Sequence, residues 1–345
     1  MSILKAIPVL VACGCLSGCY YVQAAKGHID LMSKREPIEA LLEDSATEPD
    51  LARRLRLVTE AREFSIRELG LPDNDSYRTY ADLGRQQVLW NLFATEEFSL
   101  EPKTWCYPIV GCLAYRGYFN NETARRKLED LQVDGYDVAM GGVTAYSTLG
   151  KFDDPVLNTM MAWDDVHLVG VLFHELAHQV IYIKDDTTFN ESFATAVEEA
   201  GLERWLASRG ESELLASFHR RKALEKDIFS LVDEARADLE AVFAGSDPQQ
   251  MRRAKQAIFE DLSAAVASRL EESGLPARHW LVGELNNAKL VPLALYESRV
   301  PAFQALLAQC DGDFDCLYTE VKRIGAYDAD QRNAELQGLA QSARP

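Results

Sequence analysis

His174-Glu175-Leu176-Ala177-His178 is the stretch whose residue types and spacing could do chemistry. On a helix, residues four apart share a face, so the two imidazoles would offer nitrogens to the same point in space. Neutral imidazole is a ligand for zinc. Glu175 projects beside them, where its carboxylate could take the proton of a water that attacks a carbonyl carbon. The pattern specifies metal-assisted hydrolysis, with His174 and His178 as metal ligands and Glu175 as general base. The competing reading is a chance match filled by two satisfied core histidines, so the surroundings have to arbitrate.

The apolar run from Val166 to Ile183 can bury a helix that carries the pattern. A hydrolytic zinc takes three protein ligands and leaves one position open, so one Zn2+ per chain needs a third donor. Glu191, in Asn190-Glu191-Ser192-Phe193-Ala194, stands at the start of a second helix expected over 189–207. The short turn from Lys184 to Thr188 returns that helix antiparallel to the first and brings Glu191 close to His178. Glu198, about two turns further along the same face, is a competing ligand or a group behind one. A purely structural Glu191, favoured at a helix N-terminus by the dipole, is the alternative. His167 is expected to be structural or to stand behind a ligand. Upstream, Gly141 to Thr148 mixes apolar and polar strand residues, as an edge strand does. Such an edge can take up a peptide backbone as an added antiparallel strand, which makes Gly142, Thr144 and Tyr146 candidates for binding substrate. A sheet strand without a substrate role fits equally.

A hydrophobic fraction of 47% beside 26% charged residues is globular composition, and 345 residues leave room for a large core. The formal charge of -18 argues against a nucleic-acid partner, because a phosphate backbone requires a basic patch. Met1 to Lys5 and the apolar run through Cys15 have the charged and hydrophobic regions of a secretory signal, and are too short to span a membrane. Leu16-Ser17-Gly18-Cys19 resembles a bacterial lipobox, which implies cleavage before Cys19 and lipidation of that residue; an ordinary cleaved signal is the alternative. Tyr20 in place of an aspartate after the cysteine implies the outer membrane, facing the periplasm. Four cysteines then remain in an oxidising compartment, Cys106, Cys112, Cys310 and Cys316, in two pairs of equal spacing. Two local disulfides are favoured over a four-cysteine zinc site, whose knuckles use shorter spacings.

Along the chain, helices are expected from Ala24 to about Ala94, including a segment from Tyr77 to Phe93. Strands are expected within Thr104–Phe119 and Tyr136–Leu149, with a charged helix over Glu122–Leu131 between them. Helical periodicity resumes from Glu211 to Ser273, broken at Gly245-Ser246-Asp247-Pro248, and the chain ends in a polar tail with little helix. The expected fold class is α+β and mainly helical. Residues 1–18 form the signal and 19–345 one catalytic domain.

His174-Glu175-x-x-His178 followed by Asn190-Glu191 resembles the gluzincin clan of zinc metallopeptidases, which includes thermolysin and the membrane-alanyl-type aminopeptidases, over residues 140–200. More of the chain is similar to a family of bacterial lipoproteins described as aminopeptidases. That similarity runs through the lipobox, His-Glu-Leu-Ala-His-Gln at 174–179, Asn-Glu-Ser-Phe-Ala at 190–194, Asn286-Asn287-Ala288 to Tyr296, and Val300-Pro301-Ala302-Phe303. It implies a gluzincin-like core with a small sheet packed on the metal-binding helix, and hydrolysis of peptides in the cell envelope. It also implies a tyrosine or histidine donor for the developing oxyanion, for which Tyr296 is the first candidate, with Tyr146 and His279 behind it. Three departures stand out. Only twelve residues lie between His178 and Glu191, a shorter connection than in thermolysin-like enzymes. Thr195 stands where the clan has an acidic residue, so a carboxylate orienting a zinc histidine would come from Asp164 or Asp165. The Gly-x-Met-Glu-Asn strand that grips a substrate's amino group is absent. Other classes compatible with these residues are a catalytically silent peptide-binding lipoprotein and a zinc amidohydrolase of cell-wall peptides.

Overall fold

Apolar residues at helical spacing build the first part of the chain. The structure, a computed structural model, describes residues 7–107, 111–274 and 279–342, without the side chains of residues 7–19, 296, 297 and 342. Helix α1 (Ile7–Ser33) is followed by strand β1 (Arg35–Pro37), the short α2 (Ile38–Glu43) and α3 (Pro49–Leu69). Leu55, Val58, Ala61 and Leu69 form the buried stripe of α3. Gly70 closes that helix at φ +61°, a left-handed conformation that favours glycine. Strands β2 (Thr79–Ala81), β3 (Leu89–Glu96), β4 (Trp105–Tyr107), β5 (Gly111–Leu113) and β6 (Arg116–Tyr118) come next, then α4 (Asn121–Val133), β7 (Tyr136–Val143) and β8 (Val156–Leu157). The described elements after that are helices: α5 (Asp165–Ala177), α6 (Thr187–Ser208), α7 (Ser212–Phe243), α8 (Pro248–Ser273), α9 (Asn287–Glu297), α10 (Val300–Gln309), α11 (Phe314–Gly325) and α12 (Ala329–Ser342). No helix among the described residues is long and apolar enough to cross a membrane.

The fold is mainly helical with small sheets, the α+β class the sequence implied. Two expectations fail. Tyr77 to Phe93 is not helical, because Leu89–Glu96 carries Trp90, Phe93 and Thr95 and pairs on both sides, with β6 and β7. The polar tail does contain helices: Leu317, Val321 and Ile324 form a buried stripe on α11, and Leu336 of α12 joins the same core.

Among the described residues three small sheets result, in orders β6-β3-β7, β1-β2-β8 and the hairpin β4-β5. The first is antiparallel throughout and leaves β7 at an edge. Its packing corrects a further expectation: α4 and α9 make its broad contacts, and α9 sits between it and α6, so the sheet is not laid on the metal-binding helix. The main core gathers α3, α5, α6, α10 and α11 around Phe173, Phe193 and Phe303. A second apolar cluster lies in the α7–α8 hairpin around Val232, Leu239 and Val266. The expected disulfides form, Cys106–Cys112 across β4-β5 and Cys310–Cys316 at the start of α11.

Candidate metal centre

The α5–α6 pair positions the candidate ligands, and the sequence sets its ends locally. Asp164 caps the N-terminus of α5 by accepting from His167 N at 2.8 Å. The helix stops at Ala177, with His178 as its C-cap, where Val180, Ile181 and Ile183 bring β-branched residues unfavourable to a helix. Asp186 caps α6, accepting from Phe189 N at 3.0 Å. Asn190 then ties the connection shut: its amide accepts from Ile183 N at 2.7 Å and donates to Ile183 O at 2.8 Å. Glu191, the next residue, is thereby held at a fixed height against the end of α5. The helices approach closely because Gly170 and Gly201 carry no Cβ; one added at Gly170 would lie 2.8 Å from Glu198 Oε1, and one at Gly201 would lie 2.9 Å from Phe173.

His174, His178 and Glu191 meet, all buried. Glu191 Oε2 lies 3.4 Å from Nε2 of each histidine. Ligands at the zinc bond lengths of about 2.0–2.1 Å in a tetrahedron would stand about 3.4 Å apart. The group could hold a metal ion, and its donor set is compatible with zinc.

Glu198 does not join the three but stands behind His174, with Oε2 3.1 Å from Nδ1. Glu198 is thus the carboxylate placed at His174, and Asp164 and Asp165 are not: the first is the α5 cap, and the second pairs with Arg53 at 2.6 Å. Helix geometry explains the correction, since Glu198 lies two turns beyond Glu191 and faces Gly170 across the helix pair. His178 Nδ1 is buried without a hydrogen-bond partner among the described residues. His167 packs on Trp163, with ring centroids 3.9 Å apart.

The electrostatics follow from burial and proximity. Burial opposes a charge on His174, yet the hydrogen bonds to Glu191 and Glu198 outweigh it and raise its pKa to about 10. Burial would raise Glu191 and Glu198, but the histidines hold both below the usual carboxylate range. Glu175 is raised, chiefly by burial, against the lowering effect of His174 and His178. Its carboxyl has Ser147 as a hydroxyl neighbour.

The other expected residues are distributed as follows. Gly142 lies on β7 opposite Trp90. Thr144 and Tyr146 fall beyond the end of β7, which stops at Val143. Thr144 Oγ1 accepts from Trp163 Nε1 at 3.0 Å, and the Tyr146 hydroxyl lies 3.3 Å from His28 Nδ1 on α1. His279 Nδ1 accepts from Leu281 N, with Glu225 of α7 as its charged neighbour. The side chain of Tyr296 and that of Cys19 lie outside the described residues. Two phenols not singled out from the sequence lie within electrostatic reach of Glu191. Burial and then Glu191 raise the pKa of Tyr115 far above its ordinary value and that of Tyr182 to about 12, and Glu175 adds to the effect on Tyr115. Tyr115 is brought there by the β4-β5 hairpin, which Asp185 of the α5–α6 connection grips through Cys112 N at 2.6 Å. The aromatic stretch from Trp105 to Phe119 was the only signal for it. A groove lined by Asp137, Arg252, Lys255 and Glu260 stands apart, its cations already paired with Glu97 and Asp137.

Residues 19–336 match the family model described as "Putative aminopeptidase". No curated protein and no solved structure matches the chain.

Proposed function

The chain belongs to the putative aminopeptidase family, and from that premise we propose that it is a zinc-dependent metallopeptidase of the gluzincin type acting on peptides in the bacterial cell envelope. The observation that carries the reading is the buried meeting of His174, His178 and Glu191 beside the carboxyl of Glu175. One zinc per chain, held by those three residues, would supply a Lewis acid for water and for the peptide carbonyl. Glu175 takes the proton from the attacking water and passes it to the leaving amine, and its raised pKa brings it toward the range in which one group can do both. Tyr115 and Tyr182, kept protonated by burial and by Glu191, are the phenols proposed to donate to the developing oxyanion, with Tyr296 retained from the family resemblance. The edge of β7, which among the described strands pairs with β3 alone and has Gly142 on it, would take the substrate backbone. Removal of residues from the amino end rests on the family description, and anchoring to the outer membrane, facing the periplasm, rests on the lipobox at Cys19.

A peptide library with free and blocked amino termini tests the proposal. The zinc-loaded chain should cleave next to free amino termini, and Glu175→Gln should keep its zinc while losing turnover. A library left intact by a zinc-loaded chain would reduce the protein to a silent peptide binder, and a chain without bound metal would remove the hydrolytic reading. Cys19→Ser should move the protein from the membrane fraction to the soluble one.

A further inference from the structure

Tyr77 bears two energetic penalties that packing alone does not require. Its φ is +63°, a left-handed conformation that is a genuine outlier for a bulky side chain. It is also 1% exposed, and its hydroxyl has no hydrogen-bond partner of good geometry among the described residues. A phenylalanine would fill the same space without the penalty of an unpaired buried hydroxyl.

The neighbours of that hydroxyl point to a role. Tyr77 N donates to Asp154 O at 2.6 Å. The loop before it is fixed by the buried Arg62, whose guanidinium donates to the carbonyls of Pro72, Asn74 and Ser76. Asn74 Nδ2 donates to Gln179 Oε1 at 2.7 Å, and Gln179 Nε2 donates to Ser76 Oγ at 3.3 Å. Gln179 comes four residues after Glu175, so the loop from Asn74 to Tyr77 is pinned against the general base. Ser147 stands between, with its hydroxyl beside both Tyr77 and Glu175. Ser147 Oγ already accepts from Leu149 N at 3.2 Å. A serine hydroxyl has one proton and two lone pairs, and an ionised carboxylate only accepts. One ordering satisfies all of them: Tyr77 donates to Ser147, and Ser147 gives its single proton to Glu175.

We infer that Tyr77 and Ser147 are positioning residues for Glu175, a two-hydroxyl relay that aims a donor at the carboxylate and fixes its orientation toward substrate. The inference rests on the metallopeptidase reading of Glu175. The Tyr77 hydroxyl falls short of full hydrogen-bond geometry, and contacts in acid–base sites are often poorly aligned outside the substrate complex.

The test uses Tyr77→Phe and Ser147→Ala, singly and together in the full chain, with Ser147→Thr to restore the hydroxyl. Each single variant should lower kcat on the order of ten- to a hundredfold at unchanged KM and zinc content. The double variant should be no worse than the weaker single one, and Ser147→Thr should recover most of the loss. Wild-type turnover in both single variants, or losses that multiply in the double, would overturn the relay. If the wild-type chain cleaves no peptide, the metallopeptidase reading fails separately, and the relay is read from thermal midpoints instead. Tyr77→Phe should then shift the midpoint by different amounts in the Glu175 and Glu175→Gln backgrounds, while equal shifts remove the coupling.

Discussion

Glu198 sets which nitrogen His174 can offer to a metal, because a carboxylate 3.1 Å from Nδ1 holds the proton there and leaves Nε2 to coordinate. Glu198→Gln should therefore lower zinc affinity by about ten- to a hundredfold, and Glu191→Ala, which removes a donor, should lower it further. Competition with a chelator reads both, and a larger loss at Glu198 would exchange their roles. Asp154 makes a second prediction. It is fully buried, and burial lifts its pKa from the ordinary 3.8 to about 6 against hydrogen bonds from Thr148 N and Oγ1. A raised carboxyl pKa means the folded chain keeps a proton that the unfolded chain has released. Its contribution to stability is complete below about pH 4 and is lost as pH rises to about 6. The thermal midpoint of Asp154→Asn relative to wild type should accordingly climb between pH 4 and 6 and level off above; a difference independent of pH would dismiss the buried acid.

At the scale of elements, the α5–α6 pair is the device that converts sequence spacing into a site. Two imidazoles four residues apart need only one helix, whereas the third ligand needs a second helix at a fixed distance and rotation. Gly170 permits that distance. In Gly170→Ala the new Cβ would lie 2.8 Å from Glu198 Oε1 and 2.9 Å from Leu202, and the flexible carboxylate is the group that would yield. We expect about a tenfold loss of zinc affinity with little change in helix content by circular dichroism, since the orienting contact is lost while the three ligands stay. Unaltered affinity would show that Glu198 can shift without cost to His174. The sequence made both helices legible through their apolar periodicity, but not Glu198's role, because three acidic positions competed for it and only the packing face of α6 chooses among them.

Over the whole molecule, the C-terminal helices brace the candidate metal centre from behind. Asp186 caps α6 and also pairs with Arg299 before α10 and Arg332 of α12, each at 2.9 Å. Asp186→Ala would strip the cap and leave two largely buried guanidinium groups without their carboxylate, a loss of roughly 3–5 kcal/mol by the usual cost of breaking such a pair. Urea unfolding measures it, and a change below about 1 kcal/mol, the scale of a surface ion pair, would show the network to be peripheral. The polar sequence after Asp311 gave little sign of this, because α11 and α12 bury narrow stripes whose partners lie on α3, α6 and α10.

The amino-acid sequence by itself determined the parts of the site that depend on local geometry. An i, i+4 pair of histidines with a glutamate beside them occupies one helix face whatever the rest of the chain does, and six-residue cysteine spacing closes local loops. It also carried the lipobox-like start and the globular, acidic composition. Tertiary structure decided everything that requires two distant segments to meet: Glu191 as the third member of the cluster, Glu198 behind His174, Tyr115 and Tyr182 as neighbours of Glu191, and Tyr77 and Ser147 against Glu175. The reason is physical. Burial, charge proximity and the approach of two helices through glycine are properties of packed pairs, and no single segment contains them.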